Sequence, residues 1–242
     1  MMASLAAARG EGRTALTELE ASALLAEYAL TVAPARLARS LEELDSALQI
    51  VEPPWVVKIA SPDIQHKTEV GGVVLGVRHA EGAREAFHDL TRRVAAARPA
   101  ARIHGVLVQH QVEGAVAEML LGVSRDDQFG PVVLVGLGGI FAEALDDVAL
   151  RVAPIDQAEA ERMLRELKGY KILTGFRGRP PGDVEALAGA VVRLARLASE
   201  LEDEVCEVDL NPVLVLPAGR GVVAVDALVT LRLSVPHRLQ QA

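Results

Sequence analysis

A single cysteine, Cys206, stands in 242 residues. A framework of internal disulfides is therefore excluded, and a reducing, cytoplasmic setting is the expectation. Cys206 sits between Val205 and Glu207 in a strand-like run, where it reads as plain packing. Aromatic residues make up only 3% of a chain that is 50% hydrophobic, so the core must be built from Leu, Val, Ile and Ala. No uninterrupted apolar run approaches the ~18 residues of a membrane span. The richest one, 131–142, is broken by Gly136, Gly138 and Gly139, and no membrane association is expected. The apolar segment at the N-terminus is too short for a signal peptide and reads as a frayed leader. Basic charge is also scarce: the formal net charge is −8. Nucleic acid is thereby disfavoured as a partner, because a phosphate backbone needs a basic face. A small phosphate ligand needs only a local positive pocket.

What is present is an interleaved pattern of helix and strand signals with no repeat and no low-complexity linker. Thr17-Glu18-Leu19-Glu20 and Ser40-Leu41-Glu42-Glu43 are capping boxes that open helices. Asp156 and Asp183 cap two more, and Ala83, Ala86, Phe87, Leu90 and Val94 mark a helix over 81–98. Strands are expected at 31–37, 55–60, 73–77, 106–112, 116–121, 132–135, 148–152, 205–209, 213–216 and 222–225. Glu113-Gly114 reads as the turn joining two of them. The residues from 168 to 181 form a loop with four basic side chains, Lys168, Lys171, Arg177 and Arg179. The pattern predicts an α/β or α+β protein with a mixed sheet.

One stretch, Trp55 to Gly76, concentrates reactive groups. An apolar strand ends in Lys58, breaks into a polar loop with Ser61, Asp63, His66, Lys67 and Thr68, and closes on Gly71-Gly72 before a second apolar strand. Two readings of Lys58 stand: its ammonium snorkels out at the strand end, or it meets a phosphate. His66 is either a solvated loop histidine or a nucleophile, since imidazole titrates near working pH. Gly71-Gly72 either form a hairpin turn or let backbone amides approach a phosphate. They match neither the phosphate-loop pattern nor the dinucleotide-binding fingerprint.

Further along, Gly136-Leu137-Gly138-Gly139 follow a buried strand, where a tight turn suffices to explain them. Arg151, between Leu150 and Val152, calls for an anion or a carboxylate partner. Asp209 and Asn211 stand at one strand end and Asp226 at another. Two adjacent strand ends of this kind place oxygen donors on one cation, as Mg²⁺ carrying a nucleotide requires. Asn-Pro and Asp are equally ordinary turn residues.

Taken together, five stretches resemble a known family. They are VVKIASPDIQHKTEVGGVVLGV, ARIHGVLVQ, DQFGPVVLVGLGGIFAEALDDVALRVAP, LKGYKILTGFRGRPP and EVDLNPVLVL with VVAVDA. In order, and over about 17–230, they resemble the β subunit, an ATP-grasp domain, of ADP-forming acyl-CoA (acetate-CoA) synthetases, relatives of succinyl-CoA synthetase. The resemblance implies an ATP-grasp fold over 15–235 with mixed sheets and flanking helices. It implies a small lobe over 15–105, a large lobe over 106–235, and flexible termini at 1–14 and 236–242. It implies ATP/ADP and Mg²⁺ as cofactors and a separate CoA-binding α subunit as partner, which brings the acid and CoA. Residue by residue, it implies that His66 carries the phosphoryl group and that Asp209 holds it. Asn211 and Asp226 would ligate Mg²⁺. Lys58, Val108, His110, Glu118 and Arg151 would line the nucleotide site, and Ser61, Gly71 and Gly72 would shape a phosphate loop. Two positions depart from the pattern. His110 stands where the family usually has an acidic residue, and the turn before Glu118 is altered. Two other readings compete: a degenerate ATP-grasp module of a protein acetyltransferase-like assembly, and a stand-alone ligase. Retention of Lys58, His66, Asp209, Asn211 and Asp226 weighs against the first, and the lack of a further acceptor domain against the second.

Overall fold

Two antiparallel sheets, each backed by helices, face one another in a computed structural model that describes residues 2–138 and 147–232. The elements, in chain order, are α1 (Met2–Gly10), α2 (Glu18–Glu27), β1 (Ala35–Ala38), α3 (Leu41–Ile50), β2 (Trp55–Ala60), β3 (Val73–Val77), α4 (Ala80–Ala97), β4 (Gly105–His110), β5 (Ala117–Asp126), β6 (Gly130–Leu137), β7 (Val148–Val152), α5 (Gln157–Glu166), α6 (Tyr170–Leu173), α7 (Val184–Glu200), β8 (Val205–Val215), β9 (Val222–Ala224) and β10 (Leu228–Leu231).

The smaller sheet has the order β1-β4-β2-β3. Its core joins Val57 and Ile59 of β2 and Val106 and Val108 of β4 to Leu44 of α3 and Leu90 and Val94 of α4. Strand alternation sends Val56, Lys58 and Ala60 to the opposite side of β2. All six residues of β2 are buried, so that side is covered as well. It faces the larger lobe, because Lys58 reaches residues 18 and 225 there.

The larger sheet has the order β10-β8-β5-β6-β7, with β9 beside β8. Met119, Leu121, Val133, Val135, Val208 and Leu210 turn inward onto α5, α6 and α7. The stripe Leu187, Val191, Leu194 and Ala198 of α7 is buried against them. Period-two alternation therefore leaves Glu118, Leu120, Gly122 and Asp209 on the face away from those helices. In register, Leu120 lies opposite Gly136, and Gly122 opposite Asp209.

The helix caps form where the sequence put them. Thr17 and Glu20 complete a reciprocal capping box. Ser40, Asp156 and Asp183 each accept from the backbone amide three residues on. Several expectations are corrected. The named strand pairs in both sheets are antiparallel, where a mixed sheet was expected. The strands at 106–112 and 116–121 do not make a hairpin about Glu113-Gly114: β4 belongs to the smaller sheet, and β5 to the larger. The lobe division shifts accordingly. Strand β4 closes the smaller lobe, and α2 packs into the core of the larger one rather than the smaller. The N-terminal residues are not a loose leader. Leu5 and Ala8 of α1 are buried in the large core, and Arg13 forks onto Glu20 at 2.7 and 2.9 Å. A short strand, β10, lies beyond 225, and Val205–Val215 is one strand through Asn211-Pro212 rather than two. Cys206 is exposed on β8 rather than packed. The expected C-terminal tail, 236–242, and Gly139 lie outside the described residues. No helix among the described residues is long and apolar enough to cross a membrane.

Candidate active site

The fold brings the 61–72 loop of the small lobe over the middle of β8 and the end of β9 of the large one. A cavity of about 600 Å³ opens there, lined by Ser61, His66, Lys67, Asp209, Asn211 and Asp226, among others. Residues more than a hundred apart in sequence thus share one cleft.

The loop is held at several points. Asp63 accepts from Arg102 through the backbone N (2.7 Å), Nε (3.0 Å) and Nη2 (2.7 Å), which holds its carboxyl well below the usual range, at about 2. The Ser61 hydroxyl accepts from the Asp63 amide at 3.1 Å, and Ile64 is buried in the small-lobe core. Next to Lys67, which is buried, the His66 ring is exposed at the cavity.

A buried charge network runs from Lys58 to the cavity wall, which Glu18, Lys67 and Asp226 help to form. Lys58 Nζ donates to Glu18 Oε1 at 2.9 Å and to the Val225 carbonyl. Lys67 Nζ lies 2.9 Å from Glu18 Oε2, an ion-pair distance, and donates to Asp226 Oδ1 at 3.1 Å. Glu18, Lys58 and Lys67 are 8%, 5% and 8% exposed, so water does little of the compensation. Burial works against the Lys67 charge, yet Glu18 and Asp226 outweigh it and hold the ammonium above its ordinary range. Burial likewise opposes the Asp226 charge, and Lys58 and Lys67 reverse that and keep the carboxyl low. Asp209 goes the other way. Burial first, then the charges of Glu207 and Asp226, raise its carboxyl, with only His66 pulling it down.

The donors in the cleft suit a hard cation. Asn211 through its amide oxygen and Asp226 through its carboxylate offer the ligand type that Mg²⁺ takes together with substrate phosphates. The Oδ1 atom of Asp209 is buried with no hydrogen-bond partner, an acceptor left for a donor from outside the fold or from a moving side chain. These residues fit an Mg²⁺–nucleotide complex.

Other expected site residues are placed differently. The Lys58 ammonium is turned inward in this structure, onto Glu18 and the Val225 carbonyl. Gly71 and Gly72 are not an open phosphate cradle. The Gly71 amide donates to the Thr68 carbonyl at 3.0 Å and the Gly72 amide to the Lys67 carbonyl at 2.7 Å. Their reasons for being glycine are local. Gly71 has a φ of 63°, and a Cβ on Gly72 would stand 2.7 Å from Ile59 Cγ2 and 2.9 Å from the Lys67 carbonyl oxygen. Arg151 is taken by carboxylates of α5, Glu159 at 2.6 Å and Glu166 at 2.5 Å, and does not line the His66 cavity. Val108 is a small-lobe core side chain. His110 ends β4 with Nδ1 2.9 Å from the Glu52 carbonyl oxygen. Glu118 lines a separate hollow of about 720 Å³ with Ala115, Gly138, Phe176, Arg177 and Arg179.

Glu18 was not among the expected site residues, and Lys67 stood out only as one of the reactive groups of the loop. The signal for Glu18 was indirect: a lysine inside a wholly apolar strand requires a carboxylate from somewhere, and the sequence does not say from where. Glu18 looked like an ordinary first-turn acid of a capped helix. The hollow beside Phe176 was foreshadowed only by the basic character of 168–181.

Comparison with known proteins gives the family. A model of the ATP-grasp domain matches residues 7–231. The chain belongs to the ATP-grasp family, and within it to the branch that holds the β subunits of ADP-forming acetate–CoA ligases. It is 41% identical over 224 residues to the acetate–CoA ligase [ADP-forming] I subunit beta of Pyrococcus furiosus, covering 93% of this chain and 94% of that one. It is 42% identical over 200 residues to acetate–CoA ligase [ADP-forming] I of Archaeoglobus fulgidus, covering 83% of this chain but only 29% of that longer protein. Among solved structures it resembles the dinucleotide-forming acetyl-coenzyme A synthetase 1 of Ca. Korarchaeum cryptofilum, in complex with coenzyme A, Ca-AMPCP and HgCl+. The TM-score is 0.89 at 42% identity, over 94% of this chain and 98% of that one. A further structure of that synthetase, with coenzyme A and Mg-AMPPCP, has its phosphohistidine segment pointing towards the nucleotide-binding site; the TM-score is 0.79 at 38% identity, over 95% and 99% of the two chains.

Proposed function

We propose that the chain is the nucleotide-binding subunit of an ADP-forming acid–CoA ligase and that His66 is its phosphoryl carrier. The overall reaction is acyl-CoA + ADP + phosphate ⇌ acid + CoA + ATP. Phosphate displaces CoA from the acyl group, giving an acyl phosphate on a CoA-binding partner subunit. The phosphoryl group passes to a histidine of that partner subunit, releasing the acid, then to His66, regenerating the first imidazole, and last from His66 to ADP, regenerating the second and forming ATP. The cytoplasmic setting belongs to the same proposal.

One observation carries this reading: an exposed histidine on a loop lines the same cavity as a half-buried carboxylate with an unpaired oxygen and two oxygen donors for a cation. A neutral imidazole attacks through one nitrogen while a carboxylate accepts from the other. Asp209 is the group that accepts. Asn211 and Asp226 would hold Mg²⁺, which supplies charge neutralisation for the nucleotide phosphates. Phosphoryl transfer needs positioning and charge stabilisation above all. The Korarchaeum complex with Mg-AMPPCP, whose phosphohistidine segment points towards the nucleotide-binding site, supports the assignment of the same role to His66. The Pyrococcus relatives, covered to 94% of their length, are named as beta subunits, which supports a partner for the remaining chemistry.

The test is reconstitution. The purified chain is mixed with a CoA-binding subunit, acyl-CoA, ADP, phosphate and Mg²⁺, and ATP is measured. ATP from the wild type and none from His66→Ala is the expected result. No ATP from any acyl-CoA with either protein overturns the reading.

A further inference from the structure

Lys67 is out of character with its surroundings. Gln65, His66, Thr68 and Glu69 are all exposed, yet Lys67 between them is buried. A lysine on a surface loop normally keeps its ammonium in water. Here the ammonium is turned inward, 2.9 Å from Glu18 Oε2 and 3.1 Å from Asp226 Oδ1.

The loop's other polar anchors lie within its own lobe. Asp63 is gripped by Arg102, the Gly71 carbonyl accepts from Arg93 Nη1 at 2.9 Å, and the Gly72 carbonyl accepts from the Ile59 amide at 2.8 Å. Lys67 instead reaches across to α2 and to the end of β9. Glu18 is the shared partner, since its second oxygen takes Lys58 of the small-lobe sheet. One carboxylate thus joins the central strand of one lobe, the helix of the other, and the residue next to His66.

We propose that Glu18 and Lys67 form a clasp that fixes the His66 loop against the large lobe, which makes Lys67 a positioning residue for His66. With the clasp closed, the backbone at 66–67 is fixed relative to Asp209, and the imidazole is presented to the cavity. With it open, the loop keeps its small-lobe anchors at Asp63, Ile64 and Gly71 and loses its hold on the other lobe. The segment free to turn is then 65–70, with His66 on it. The catalytic part of this inference rests on the assignment of His66 as phosphoryl carrier; the clasp itself does not.

The experiment compares wild type, Lys67→Met and Lys67→Arg. The first readout is backbone hydrogen exchange of the full chain without nucleotide. Lys67→Met is expected to speed exchange of the 65–72 amides at least tenfold while β4 amides stay unchanged, and Lys67→Arg, which keeps the charge, to restore part of the protection. Unchanged 65–72 exchange overturns the clasp. So does faster exchange spread equally over β4, which would mark Lys67 as merely structural. The second readout is single-turnover transfer of ³²P from Mg-ATP to His66. Lys67→Met is expected to lower the transfer rate about tenfold with the half-saturating nucleotide concentration unchanged, and Lys67→Arg to recover it in part. A change confined to nucleotide affinity overturns the positioning role. Absence of ³²P on wild-type His66, with the exchange result intact, removes the phosphoryl-carrier reading and leaves the clasp standing.

Discussion

Lys67 Nζ lies 3.1 Å from Asp226 Oδ1, so the residue beside His66 is tied to one of the two oxygen donors expected to hold the cation. The carboxylate is shared further: its Oδ1 also accepts from the Ala227 amide at 3.0 Å. Asp226 therefore serves the loop and the β9 end at once. Asp226→Ala removes one of two partners of a buried ammonium. The Asp226 side chain is itself 34% exposed, so water can enter and the penalty is moderated. The expected loss is about 1–3 kcal/mol in urea unfolding, together with loss of ³²P transfer to His66. A fully stable Asp226→Ala protein would show that Lys67 needs only Glu18.

Glu18 is the more costly position. It compensates two ammonium groups in a site where all three side chains are below a tenth exposed. Breaking a buried pair from one side typically costs about 3–5 kcal/mol, because the charge left behind is unpaired. Glu18→Ala leaves Lys58 and Lys67 sharing only Asp226 and a carbonyl. It is expected to lose at least that much in denaturant unfolding. Asp89→Ala, which breaks the surface pair with Arg92, is expected to cost under ~1 kcal/mol. Equal effects of the two substitutions would contradict the buried network.

Much of this architecture was legible in the chain because its signals are local. Thr17-Glu20, Ser40, Asp156 and Asp183 announce helix starts through side chains that bond the next turn. The apolar stripe of α7 and the unbroken burial of β2 are likewise periodicities of the chain itself. What the sequence hid was pairing across distance. Whether 106–112 and 116–121 make a hairpin or part company between two sheets is decided by partners at 35–38 and 205–215. The site divides in the same way. His66, Asp209, Asn211 and Asp226 were each visible as reactive groups at loop or strand ends, and the fold brings them to one cavity. Glu18 was invisible as a partner because it stands forty positions before Lys58. Gly71-Gly72 left two readings open because glycine signals backbone freedom without saying whether a ligand or a neighbouring side chain requires it.

Gly72 offers a test of that last point. A methyl group there meets Ile59 Cγ2 at 2.7 Å and the Lys67 carbonyl oxygen at 2.9 Å. The second contact is with backbone, so a side-chain rotation cannot relieve it. Gly72→Ala must push the loop away from β2, and overpacking of this kind costs about 1–3 kcal/mol. Thermal unfolding should show the loss. If the glycines instead served only to admit a phosphate, Gly72→Ala would retain full stability and weaken nucleotide binding alone.

Asp209 makes the opposite prediction for stability. Its carboxyl is raised by burial and by the nearby charges of Glu207 and Asp226, so the folded protein holds the proton more tightly than the unfolded chain does. The sign follows from linkage. The group favours folding most fully below its unfolded pKa, and that contribution is lost as pH rises through the raised folded value. At neutral pH the ionised Asp209 therefore works against the fold, the more so because its Oδ1 has no partner. Asp209→Asn removes that charge while keeping the shape. It is expected to unfold at a higher temperature than wild type at pH 7–8, with the gap closing at pH 3–4, where the carboxyl is protonated anyway. The same substitution removes the charged acceptor facing His66 and should slow ³²P transfer to it at least tenfold. Stability rising as transfer falls is the signature of a group kept for chemistry at the expense of the fold. A variant less stable than wild type across the whole pH range would mean that Asp209 is held by contacts that the geometry of the cleft does not contain.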